Sequence, residues 1–168
     1  TLPAEPEARL KDLGHRLAHP AAAVTALPST DQFLIRREFD HNVPRGVALA
    51  HKLKEMGVTC SLSTNNVLNP FTPFGDCSTV RIANLYANVA QVGTPAGMAD
   101  CLDMVSSMSA KLMNIPGYGI DVGNKADLVV LDCETRAQAV AELAQPLLAM
   151  KGGRRTVTRP APTLHQPV

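Results

Sequence analysis

The chain has 168 residues, 45% hydrophobic and 18% charged, with a formal net charge of +1. That length suits one domain with its own core. The near-neutral charge lacks the basic stripe that nucleic-acid binding needs, and no apolar run approaches the 18 or so residues of a membrane span.

The opening "TLPAEPEARLKDLGHRL" carries acidic residues where a signal peptide would have an apolar core. It begins with Thr1, so either an initiator Met was removed or sequence lies upstream. Apolar Ala8, Leu10, Leu13 and Leu17 recur at helical spacing, predicting a helix over 5–17. "AAAVTALPS" (21–29) is a short apolar, β-branched run ending near Pro28 and reads as a buried strand, though an alanine-rich run also suits helix. The polar "TDQFLIRREFDHNVPRG" reads as a long loop. A helix over 47–56 capped by Gly57 follows, then a strand at "VTCSLS", giving the strand, helix, strand order of an α/β unit.

After a Pro-rich loop, "CSTVRIANLYANVAQVG" reads as a helix capped by Asp76 or Ser78 and stopped by Gly93. Thr94 and Pro95 open another helix reaching Asn114, with Met98, Cys101, Leu102, Val105, Ser109 and Leu112 on one inward face. "YGIDVGNKADLVVLD" gives a short extended piece, a Gly-Asn turn and an "LVVL" strand that is apolar on both faces and therefore expected to be buried. A helix over 134–143 and a hairpin, "LLAMKGGRRTVT", come next; the basic "KGGRR" reads as its exposed tip. Three prolines in the last nine residues predict a disordered tail over 160–168. The four cysteines, spaced by 17, 24 and 32 residues, have no zinc-clip spacing and read as free thiols in a soluble, cytoplasmic protein.

The runs "SLSTNNVLNPFTPFGD", "DMVSSMSAKLMNI" and especially "YGIDVGNKADLVVLD" resemble the end of the amidohydrolase superfamily, in its cytosine-deaminase-like and N-substituted-ammelide-hydrolase-like branch. The resemblance covers roughly residues 20–159. It implies an α/β fold: the C-terminal third of a (β/α)8 TIM-like barrel over 1–115, with "AAAVTALPS" and "VTCSLST" as strands seven and eight, then strands returning to a small β-sandwich with a hairpin over 116–159. The family's metal ligands are a His-x-His on the first strand, histidines on the fifth and sixth, and an Asp at the end of the eighth. No His-x-His occurs here, and none of the five histidines falls on a strand end.

The resemblance puts Thr30, Asp31, Thr64 and Asn65 on the C-terminal barrel face, where catalytic groups sit. Asn65 stands at the position of the family's metal-ligating, proton-accepting Asp. A neutral amide has no titratable site and is a poor zinc ligand, so no metal ligand is assigned within the chain. The other reading is that Asn65 and Asn66 bond the backbone of a tight turn. Asp31, Asn66 and Phe71 are the candidate substrate contacts, Phe71 with Phe74 as an aromatic wall beside a planar heterocycle; an aromatic plug and a turn-forming Asp are the alternatives.

The implied function is the C-terminal part of a metal-dependent amidohydrolase or deaminase acting on a C–N bond of a cyclic amide or amidine, inactive alone and needing an N-terminal barrel portion, a partner chain or self-association. The isolated chain is expected to hold no cofactor, and a complete family member to hold zinc or iron. A non-catalytic binding or scaffold descendant and a functionless remnant are the competing readings.

Overall fold

The computed structural model describes residues 7–18, 22–160, 162, 163 and 165. The elements are α1 (Glu7–Ala18), β1 (Ala23–Ala26), α2 (Pro28–Leu34), α3 (Ala50–Glu55), β2 (Thr59–Leu62), α4 (Thr79–Val89), α5 (Pro95–Met104), α6 (Ser107–Leu112), β3 (Leu128–Leu131), α7 (Arg136–Ala141), β4 (Pro146–Lys151) and β5 (Arg154–Thr158).

Strands β1 and β2 pair in parallel, Ala23 opposite Thr59 through Ala26 opposite Leu62. Two parallel strands need a crossover, which α2 and α3 supply. Register is reinforced between the directly opposed Thr25 and Ser61, whose hydroxyls lie 2.8 Å apart. The helices cover β2, whose Cys60 and Leu62 join Leu53, Val58, Tyr86, Cys101 and Met104 in the core. β1 is less covered than expected: Ala23 and Thr25 are exposed and only Ala26 is buried.

The remaining strands form an antiparallel sheet in the order β3-β4-β5. Its hairpin turns through Gly152 and Gly153, both at positive φ (55° and 75°), as a two-residue turn of that hand requires. The tip is exposed, as the sequence indicates. β3 departs from expectation: Val129 is 60% and Val130 48% exposed, so its apolar run is not buried. Two-sided apolarity signals burial only where a second layer covers the sheet. Residues 119–122 form bends and a turn, not an extended piece; Asn124 N–H bonds Asp121 O at 3.2 Å, with Gly123 at φ 95°.

Several boundaries move. The expected loop over 30–46 begins inside α2, because Pro28 stands in the first helical turn, where its missing N–H does no harm. α3 starts only at Ala50; Val47 and Ala48 are buried but not helical. Gly57, at φ 90°, closes α3 as expected, with Val58 N–H reaching back to Leu53 O. Ser78, not Asp76, caps α4. Gln91 at φ 56°, not Gly93, takes the left-handed position after it, with Val92 N–H on Ala87 O.

The single helix expected over 94–114 is two. Ser106 breaks it at φ −133°, ψ −96°, its hydroxyl donating to Leu102 O at 2.7 Å while Ser109 Oγ donates to Met104 O at 2.8 Å. Serine hydroxyls here take carbonyls that a continuous helix would bond through its backbone. The inward residues are Cys101, Met104 and Ala110, and Leu102 is only partly buried. α7 is shorter than expected and is capped by the Thr135 side chain. The expected tail over 160–168, like the first residues of the N-terminal helix, falls largely outside the described residues.

Candidate functional site

The C-terminal ends of β1 and β2 lie side by side, so the residues that follow each strand meet. Thr30, on α2, donates its hydroxyl to Asn65 Oδ1 at 2.9 Å and lies 3.0 Å from Thr72 Oγ1. Asn66 Nδ2 donates to the same Asn65 oxygen at 2.7 Å, and Asn69 Nδ2 donates to Asn66 Oδ1 at 2.7 Å. Asn69 Oδ1 receives the backbone N–H groups of Phe71 and Thr72, each at 3.0 Å. The side chain that holds a tight turn is therefore Asn69, whereas Asn65 ties the loop after β2 to the helix after β1.

A carbonyl oxygen has two lone pairs, and both on Asn65 Oδ1 receive hydrogens. A cation there would displace Thr30 or Asn66. Among the described residues no three His, Cys, Asp or Glu side chains cluster closely enough to hold a metal ion. The groups at this end do not by themselves fit a metal site.

Beside these residues lies a cavity of about 750 Å3. Ser29, Gln32 and Phe33 of α2 form one wall, Ser63 and Thr64 follow β2, Phe74 closes the loop side, and the first turns of α4 complete it. Phe33 and Phe74 meet edge to face, centroids 5.9 Å apart at 82°, and Arg37 lies 4.9 Å over Phe33. At the rim, Asp76 accepts Ser78 N–H and pairs with Arg81 at 2.7 Å. The Arg81 guanidinium and the Ser78 amide hold that carboxylate below its usual range.

Asp31 is not on a loop. It sits in α2, 2% exposed, with Oδ1 buried and without a hydrogen-bond partner. Burial pushes its carboxyl above the usual range, because desolvation penalises the charged form. It does not line the cavity. Phe71 is 59% exposed and also lies outside the lining, which takes Phe33 and Phe74 instead. Asn66 joins the polar network but not the cavity wall. Sequence reasoning passed over Gln32 and Phe33 because "TDQF" reads as loop; a proline at 28 with an acid three residues on was the available helix-start signal. All four thiols are free, and burial lifts those of Cys60 and Cys101 to about 11.

A profile described as the amidohydrolase family matches residues 2–159. Over 104 residues the chain is 32% identical to an N-isopropylammelide isopropyl amidohydrolase from Pseudomonas sp., an alignment covering 61% of this chain and 26% of that protein. Among solved structures it superposes on a 5-methylcytosine deaminase from Klebsiella pneumoniae liganded with 5-fluorocytosine, at a TM-score of 0.87 and 22% identity, covering 96% of this chain and 39% of that one. It also superposes on an atrazine chlorohydrolase from Arthrobacter aurescens complexed with zinc, at a TM-score of 0.61 and 18% identity, covering 99% of this chain and 37% of that one. The chain thus spans about a quarter to two fifths of the length of these relatives. It belongs to the amidohydrolase family, in the company of ammelide hydrolases and deaminases.

Proposed function

We propose that this amidohydrolase-family chain supplies the C-terminal part of a hydrolase for a C–N bond in a cyclic amide or amidine, with β1 and β2 as the last two strands of a (β/α)8 barrel and residues 116–159 as the return to a β-sandwich. The observation that carries the reading is the parallel β1–β2 pair whose C-terminal ends bring Thr30 and Asn65 within 2.9 Å. In a barrel of this kind that end is where catalytic groups gather. The N-terminal barrel portion, in the same polypeptide or in a partner, completes the site, and any zinc or iron rests on ligands outside these 168 residues. This chain's own part is to wall the substrate through the Phe74 side of the cavity, with Asn66 and Phe71 as further contacts once the barrel is closed, while Asp31 stays buried in α2. The Thr30–Asn65 bond holds the loop after β2 against α2.

One observation favours the second reading, a binding or scaffold descendant without hydrolysis: the Asn65 oxygen is fully occupied by Thr30 and Asn66. Asn65→Asp separates the two. Because Asn65 accepts both of these bonds, a carboxylate keeps them, so stability should stay within about 0.5 kcal/mol. In the protein assembled with its N-terminal barrel portion, the hydrolase reading expects higher metal content and faster C–N hydrolysis near neutral pH, since a carboxylate supplies both a ligand and a proton acceptor. Unchanged metal content at unchanged thermal midpoint removes the metal-site interpretation of this position.

A further inference from the structure

We infer that Asn69 is a positioning residue: it fixes the direction of a hydrogen-bond chain that ends by making Asn65 present its amide nitrogen, a donor, at the C-terminal ends of β1 and β2. The chain starts from backbone, which has no second orientation. Asn69 receives the N–H groups of Phe71 and Thr72, so the atom facing them is its oxygen, and its nitrogen is left to face Asn66. Asn66 then receives through its oxygen, which leaves its nitrogen for Asn65. Asn65 in turn receives through its oxygen, and Thr30, whose one hydroxyl hydrogen goes to that oxygen, accepts from the buried Thr72 hydroxyl. Turning over any one of the three amides alone would set oxygen against oxygen or hydrogen against hydrogen.

The free end of the chain is the part that an occupant of the site meets. Asn65 is exposed, and among the described residues its nitrogen gives no hydrogen bond. With both lone pairs of its oxygen engaged, the side chain offers N–H groups and no acceptor. It suits an oxygen acceptor and rejects a cation. The inference rests on the hydrolase reading above for the site's location; within that reading, position 65 orients an acceptor and takes up no proton.

The test reads side-chain amide hydrogen exchange by NMR on the 168-residue chain, with Asn65→Asp assigning the Asn65 signals by their loss. In the wild type, one hydrogen on Asn66 and one on Asn69 should exchange about fivefold slower than in a free amide, the protection one ordinary hydrogen bond gives, while both on Asn65 exchange freely. Two isosteric variants reverse the chain. Asn66→Asp has only oxygen to offer Asn65, which should turn over, donate to the new carboxylate and to Thr30, and become protected about fivefold. Asn69→Asp should turn over Asn66 and Asn65 together and protect Asn65 from further along the loop. A role confined to holding the turn would leave Asn65 exchange unchanged in both. Protected Asn65 hydrogens in the wild type would overturn the proposal, as would free exchange at Asn65 in either variant at a retained thermal midpoint; the wild-type pattern decides alone where a variant does not fold. The two readings fail separately. Absence of hydrolysis in the assembled protein with this exchange pattern intact removes the hydrolase reading alone, whereas hydrolysis there with Asn65 protected in the wild type removes this one.

Discussion

At the residue scale, His51 shows how one hydrogen-bond pattern sets a protonation state. The buried Tyr86 hydroxyl oxygen accepts the His51 backbone N–H at 3.0 Å and lies 2.8 Å from His51 Nδ1. With one lone pair taken by the backbone, the tyrosine hydroxyl can give its proton to the Nδ1 of a neutral imidazole, a bond whose direction protonation of the ring would have to reverse. Burial, with Lys52 adding to it, lowers the His51 pKa below the ordinary value near 6.5. The sign follows from proton counting. Below that value the unfolded chain takes up a proton that the folded chain refuses, so this residue's contribution is whole above about pH 6.5 and is lost as pH falls toward the lowered folded value. The thermal midpoint should therefore drop between pH 7 and pH 5, and His51→Gln should flatten the drop. An equally steep curve in the variant would show that another group governs it. Nothing in the sequence around "LAHKLK" announced this pair, since its partner lies 35 residues away on α4.

At the scale of elements, the methionine-rich helix separates what periodicity gives from what it cannot. The spacing from Met98 to Leu112 correctly implies helix with an inward face, yet it treats Leu102 and Met104 in the wrong order. Met104 and Cys101 are fully buried, whereas Leu102 lines the groove beside β3. Met104→Ala should destabilise by about 2 to 5 kcal/mol as a buried large-to-small change. Leu102→Ala should be distinctly milder, because part of its surface already meets water; denaturant midpoints of the two variants decide it, and an equal or greater loss at Leu102 would place that side chain in the core. Both residues lie in α5, before the break at Ser106, so the difference comes from what covers each side of α5 and not from the break. Caps with a side-chain signature were legible in the same region: Ser78 and Thr94 accept the N–H groups of Arg81 and Gly97. The αL position at Gln91 was not, because a residue other than Gly or Asn holds it.

At the scale of the whole molecule, the parallel pairing of β1 with β2 was readable from the strand, helix, strand order, but the exposure of β3 was not. Burial belongs to neighbours, and this chain spans 39% of the deaminase structure it superposes on. The uncovered surface has a definite form. Val129, Ala149 and Val157 lie opposite one another across β3, β4 and β5, with the two valines 60% and 42% exposed. Beyond them Ile120 and Val122 are 88% and 107% exposed. Strands β3 and β5 are also edges, and an apolar sheet with open edges is a template for pairing with another chain. The 168-residue chain should therefore associate as its concentration rises, and Val129→Lys together with Val157→Lys should return it to monomer by placing like charges in one row of the sheet. Sedimentation velocity across a hundredfold concentration range reads the outcome. A wild-type chain monomeric throughout would mean that this surface tolerates water, and association unaffected by the two lysines would move the contact to the unpaired edges of β1 and β2. Addition of the N-terminal barrel portion distinguishes a surface that awaits the rest of its own fold from one that binds copies of itself: in the first case the complex forms with one copy of each part and self-association ceases, because the residues that drove it are covered.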